Sequence, residues 1–169
     1  MWKATDYTTL KGQQYWDALN RDLSNLLSSD EPSITTFSNT AAFLFNVLEN
    51  INWAGFYLYD GNKLILGPFG GKPACTTIAI GSGVCGTSVK EKRTVVVPDV
   101  EAFPGHIACD GDSRSEIVVP LIDKDGNLVG VLDIDSPILN RFSEEDTKGL
   151  EQLASTIVEK VKPSTLTVV

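Results

Sequence analysis

The chain has 169 residues, enough for one hydrophobic core and too few for two ordinary domains. Hydrophobic and charged contents of 42% and 21% are those of a globular protein, and no apolar run approaches the ~20 residues of a membrane span. A net charge of −8 without a basic stripe argues against a nucleic-acid partner. The opening MWKATDYTTLKGQQ lacks the apolar core of a signal peptide, so the expected address is the cytoplasm, with the nucleus open to a eukaryotic protein.

Taken in order, residues 12–28 carry Trp16, Leu19, Leu23, Leu26 and Leu27 at helical spacing. SSDEPS breaks that pattern. A second helix is expected from Thr36 to Glu49, with Phe37, Ala41, Leu44, Phe45 and Leu48 on its buried face. NWAGFYLY switches to a strand, Asp60-Gly61-Asn62 signals a turn, and KLILG returns as the second strand of a hairpin. GPFGGKPA reads as a loop that delivers Cys75 to a short strand near TTIAI.

Ser82 is placed as the N-cap of a short helix running to Glu91, with Cys85 in its first turn. TVVVP is a strand ended by its proline. DVEAFPGHIACDGDSRS is a long polar loop of the kind that is functional or disordered. EIVVPLI and LVGVLDIDS form a second hairpin around Asp123–Asn127. The last helix is bounded by a capping box of Ser143 and Asp146, carries Leu150, Leu153, Ile157 and Val161, and ends at Lys162 and Pro163. One domain spans 1–169, with its core in 12–162 and a loose tail at 163–169. The pattern is α+β: helices covering five or six mostly antiparallel strands.

The chemistry-bearing residues concentrate between Cys75 and Leu121, which hold all three cysteines (Cys75, Cys85, Cys109) and the only histidine, His106. In Leu128–Asp135, strand alternation puts Val129, Val131, Asp133 and Asp135 on one face and Leu128, Gly130, Leu132 and Ile134 on the other. Asp133 and Asp135 then stand about 7 Å apart, and the hairpin brings Glu116 towards them. Crowded carboxylates raise one another's pKa, so one can stay protonated near neutrality and act as an acid. Solvated strand ends are the plainer reading of the same three residues.

An odd number of cysteines cannot all pair within one chain. A lone cysteine is usually a small buried hydrophobe, but three in one loop-rich segment suit a redox dithiol, one thiolate attacking and a second resolving the product. A zinc site of Cys75, Cys85, His106 and Cys109 is the rival. Nine residues separate the first two cysteines and 23 the next two, with no C-x₂-C knuckle, so no metal is expected. GPFGG and GSGVCG match neither nucleotide-binding glycine pattern. The first turn of a helix lowers a thiol's pKa, whereas Asp110 and Asp112 raise that of Cys109. Electrostatics alone therefore nominates Cys85 as the reactive thiol.

INWAGFY, LILGPFGGKPAC, IGSGVCGT, VPDVEAFPGHIACDGDSRSEIVVP and GVLDIDS, in that order, resemble the GAF-domain enzymes that reduce free methionine-(R)-sulfoxide. The likeness covers roughly residues 50–155. It implies a GAF fold with a central, mostly antiparallel six-stranded sheet, a homodimer, and no bound cofactor or metal. It also implies a cycle in which a cysteine attacks the sulfoxide, a sulfenic acid forms, a second cysteine closes a disulfide, and thioredoxin reduces it.

Carried over by motif, Cys109 of HIACD attacks, Cys75 of KPAC resolves, and Cys85 of GVCG is a second resolving or relay thiol. Glu116 and Asp135 hold the sulfoxide oxygen. Asp133 takes the ammonium, and Trp53 and Tyr57 wall the methyl and side-chain end. Two other classes stay open: a GAF domain that senses a small ligand without turnover, for which the cysteines are dispensable, and a zinc-stabilised binding module.

Overall fold

The computed structural model describes residues 5–105 and 111–162. Helices α1 (Gly12–Leu26) and α2 (Ser33–Val47) lead into β1 (Trp53–Tyr59) and β2 (Lys63–Gly71). Then come β3 (Thr77–Ala79), α3 (Gly83–Glu91) and β4 (Val95–Val97). Strands β5 (Ser115–Ile122) and β6 (Leu128–Ser136) and helix α4 (Glu144–Lys160) complete the order. The six strands make one antiparallel sheet in the order β3-β2-β1-β6-β5-β4, as expected of the α+β reading.

Alternation along the central strands divides the interior in two. Ala54, Phe56, Ile117, Val119, Leu132 and Ile134 face one way and pack under α1, α2 and α4. Leu19, Leu23, Phe37, Leu44, Leu153 and Ile157 from those helices complete this core, with the Phe37 and Phe56 rings 4.9 Å apart. Trp53, Tyr57, Val118 and Val131 face the other way and meet Val84, Cys85 and Val89 of α3. All the expected site residues of the central strands are on this second face.

Helix α4 starts as its sequence dictates. The Ser143 hydroxyl accepts from the Asp146 amide, and the Asp146 carboxylate accepts from the Ser143 amide at 2.8 Å. Arg141 donates to that carboxylate at 3.2 Å and to the Glu49 carbonyl at 2.9 Å, which ties the end of α2 to the start of α4.

Four local expectations are corrected. Helix α2 begins at Ser33, because Pro32 is tolerated at a helix start, where its missing N–H has no intrahelical role. Phe45 is 38% exposed instead of belonging to the buried face of α2. Strand β2 continues through the GPFGG run that reads as a loop; Gly70 and Gly71 pair with Ala54 and Trp53, across a register shift between Gly55 and Tyr57. Val129 lies with Leu132 and Ile134 in the helix-covered core, while Leu128 packs on the other side. The ladder shifts there, Leu121 pairing with Gly130 and Ile122 with Leu128, so a bulge moves Val129 to the opposite face. The expected tail at 163–169 lies outside the described residues. No helix among the described residues is long and apolar enough to cross a membrane.

Helices α1 and α4 approach so closely that a Cβ on Gly149 would stand 1.9 Å from the Trp16 ring. Gly149→Ala should therefore cost about 1–3 kcal/mol by overpacking. Urea unfolding followed by tryptophan fluorescence should show a lower midpoint for it and none for Lys148→Ala on the exposed side of the same helix.

Candidate active site

Register alone assembles the site. Glu116 of β5 pairs with Asp135 of β6, which pairs in turn with Trp53 of β1. One step along, Val118 pairs with Asp133, which pairs with Gly55. Directly opposed residues share a face, so two rows of side chains cross three strands on the side covered by α3. Gly55 leaves a gap in the second row, filled from β2. A Cβ there would stand 2.3 Å from that of Phe69 and 2.7 Å from the Trp53 ring.

Into this gap Phe69 stacks on Trp53 with ring centroids 5.3 Å apart and 13° between planes; Tyr57 lies on Trp53 at 5.9 Å and 22°. The Trp53 indole N–H donates to the Lys72 carbonyl at 3.1 Å, which fixes the ring. Trp53 and Tyr57 are both buried. Phe69 is the aromatic that sequence reasoning missed, since it lies in the glycine-rich run assigned to a loop. The alternation of Leu64, Leu66 and Phe69 is obscured by the register shift.

Helix α3 brings Cys85 over the two rows. Its Sγ donates to Asp133 Oδ2 at 3.3 Å, and single ligand atoms of Cys85, Glu116 and Asp133 all lie within 4.8 Å of one another. Glu116 and Asp133 are each 6% exposed. Asp133 Oδ1 is buried without a hydrogen-bond partner among the described residues.

These surroundings control protonation. Burial, then the Asp135 charge, raises the Glu116 carboxyl well above its ordinary value. Burial, then the Glu116 charge, does the same for Asp133. Burial and the neighbouring carboxylates also keep the Tyr57 phenol protonated. The expectation for Cys85 is overturned: although it sits in the first turn of α3, burial and then Asp133 and Glu116 push its thiol well up. Desolvation beside carboxylates outweighs the helix terminus.

Cys75 is disulfide-bonded and half-buried, whereas Cys85 is a free, buried thiol. Cys109, His106 and Asp110 lie outside the described residues. The loop that carries them is anchored at its C-terminal base: the Asn52 amide donates to Ser113 Oγ at 3.0 Å, and Lys72 pairs with Asp112. The Asn52 backbone also donates to the Asp135 carbonyl at 3.0 Å, which links that anchor to the first row. Among the described residues, the group that could offer three ligand atoms to a metal is Cys85, Glu116 and Asp133, and binding one would require deprotonating the raised thiol.

Comparison with known proteins agrees with this geometry. Residues 35–159 match the GAF domain family model. Over 152 residues the chain is 47% identical to the free methionine-R-sulfoxide reductase of Escherichia coli, covering 90% of this chain and 91% of that one. It belongs to the free methionine-R-sulfoxide reductase family of GAF domains.

Solved structures of the family superpose closely. The fRMsr of Staphylococcus aureus in its reduced form is 46% identical with a TM-score of 0.84, covering 90% of this chain and 97% of that one. The free methionine-R-sulfoxide reductase from Neisseria meningitidis in complex with its substrate is 38% identical with a TM-score of 0.80, covering 95% and 93%. The family is one of oxidoreductases, and its six-stranded sheet is the one built here.

The raised carboxyls make a stability prediction with a definite sign. Glu116 and Asp133 hold protons more tightly in the folded chain than in the unfolded one. Stability is therefore lost as pH rises above their ordinary values of 4.5 and 3.8, where the unfolded chain ionises first. Glu116→Gln and Asp133→Asn should melt close to the wild type near pH 4 and above it at pH 7–8, the gap widening with pH. Thermal melts across that range measure it.

Proposed function

We propose that this chain reduces free methionine-(R)-sulfoxide to methionine. The observation that carries this reading is the convergence of two buried carboxyls, Glu116 and Asp133, on the same sheet face as an aromatic wall of Trp53, Tyr57 and Phe69. Glu116, with Asp135 beside it, protonates or hydrogen-bonds the sulfoxide oxygen and makes the sulfur electrophilic. Asp133 takes the substrate ammonium, whose charge offsets the burial that otherwise keeps this carboxyl neutral. A protein-bound methionine offers no such ammonium, so the free amino acid is selected.

The Cys109 thiolate supplies the two electrons. Its sulfur attacks the sulfoxide sulfur, oxygen passes to cysteine, methionine leaves and Cys109 becomes a sulfenic acid. The Cys75 thiol then attacks that sulfenic sulfur, an S–S bond forms and water departs. That Cys75 is disulfide-bonded while Cys85 stays free supports Cys75 as the resolving partner. Thioredoxin restores the dithiol by thiol–disulfide exchange, and no metal or bound organic cofactor takes part. The working form is a cytoplasmic homodimer.

Single-turnover reduction by pre-reduced protein, without added reductant, tests the reading with both sulfoxide epimers. One methionine per chain and two thiols lost, from the (R) epimer only, is the expected result. No methionine with three intact thiols would leave a ligand-sensing GAF domain instead.

The acid has its own signature. Glu116→Gln should lower kcat by about 10²-fold or more with a smaller change in KM, because it acts on charge that develops in the transition state. In the wild type, kcat should fall on the alkaline side as Glu116 loses its proton. The ratio kcat/KM should fall on the acid side as Asp133 gains one, and steady-state rates against pH measure both limbs.

A further inference from the structure

We propose that Cys85 serves this reaction as the hydrogen-bond donor that fixes the Asp133 carboxyl, and not as a resolving or relay thiol. The inference rests on the reductase reading above and concerns a different atom from its redox pair. Cys85 Sγ stands 3.3 Å from Asp133 Oδ2, with the thiol as donor. That bond occupies one carboxyl oxygen and leaves the other, Oδ1, buried without a partner among the described residues. Together with the hydrogen bond from Glu116, the thiol sets which oxygen is presented to a cationic group.

Besides Asp133 and the nearby Glu116, Cys85 has mainly apolar surroundings. It is 3% exposed, in a cluster with Val84, Val89, Val97, Val118 and Val131. Its helix turn is pinned, since the Gly86 amide donates to the Ser82 carbonyl at 3.0 Å and the Gly81 amide to the Gly86 carbonyl at 2.8 Å. Thr87 Oγ1 donates to the Gly83 carbonyl at 2.6 Å in the same turn. A side chain held this way is suited to aiming one bond.

Thiol–disulfide exchange needs a thiolate with access to a second sulfur. Cys85 has the opposite setting: apolar burial, with the carboxyls of Asp133, Glu116 and Asp135 as the neighbours that further disfavour its thiolate. The same burial that disables it as a nucleophile keeps its S–H in place as a donor. Across the sheet Gly55 opposes Asp133 and offers no side chain; Glu116 hydrogen-bonds the Asp133 carboxyl from the neighbouring strand, and Cys85 meets it from helix α3.

Three variants separate the roles: Cys85→Ser keeps a donor, Cys85→Val fills the volume without one, and Cys85→Ala removes both. Each is assayed for single-turnover stoichiometry, for steady-state kcat and KM, and in combination with Asp133→Asn. The expected result is one methionine and two lost thiols per chain in all three. KM should rise about tenfold in Cys85→Val and Cys85→Ala, with kcat changed less and Cys85→Ser recovering most of the loss. Adding Cys85→Val to Asp133→Asn should raise KM no further. One methionine formed with only one thiol lost and a sulfenic acid retained, or no methionine at all, in both Cys85→Ser and Cys85→Val would overturn the proposal in favour of a redox thiol. A wild-type KM in Cys85→Val would overturn it in favour of packing alone, as would a Cys85→Ser variant no better than Cys85→Val. Absence of methionine from the wild type overturns the reductase reading itself, which the wild-type control reports separately.

Discussion

Everything functional here depends on the antiparallel registry of β1, β6 and β5. Opposed residues in such a ladder share a face, so one choice of pairing sets Trp53, Asp135 and Glu116 in a row with Gly55, Asp133 and Val118 beside it. A one-residue slip would carry every one of these side chains into the core under α1, α2 and α4. The apolar partners on the opposite face, Ala54, Ile117, Leu132 and Ile134, are fully buried there and hold the registry. The large core thus positions the small site: burial on one side of the sheet dictates chemistry on the other.

That arrangement places ionisable groups where a fold ordinarily excludes them. Glu116 and Asp133 sit in the strand interior, on the sheet's second face, close to Tyr57 and Cys85. Each carboxyl holds its proton to higher pH than usual because burial disfavours the ion and the neighbouring acids add repulsion. The proton inventory of the site is therefore set by these coupled neighbours, and a cation beside them redistributes it. Cys85 shows the same logic from the thiol side, where burial beside carboxyls counts for more than its place on the helix.

Much of this was legible in the residues. Period-two alternation identifies the shared face of Asp133 and Asp135, and the hairpin brings Glu116 to them, because strand geometry leaves little freedom. The α4 capping box is local chemistry written in four residues. What eluded sequence reading was set by distant partners. The GPFGG run becomes strand because the β1 backbone offers it hydrogen bonds, and Phe69 becomes a wall because Gly55 lies opposite. The thiol of Cys85 is governed by carboxyls 31 and 48 positions away in the chain, which no helix-terminus rule can weigh.

The bulge at Val129 separates two functions of β6. Upstream of it the strand emerges from the Asp123–Asn127 turn, whose Asp123 carboxylate accepts from the amides of Asp125 and Asn127. Downstream lie Asp133 and Asp135, in unbroken pairing with β1 and β5. Because the odd residue is absorbed at the bulge, changes in turn length need not propagate into the phase of the acids. The hairpin tip is thereby mechanically insulated from the chemistry, a part of the molecule in which length can vary while the acids keep their place.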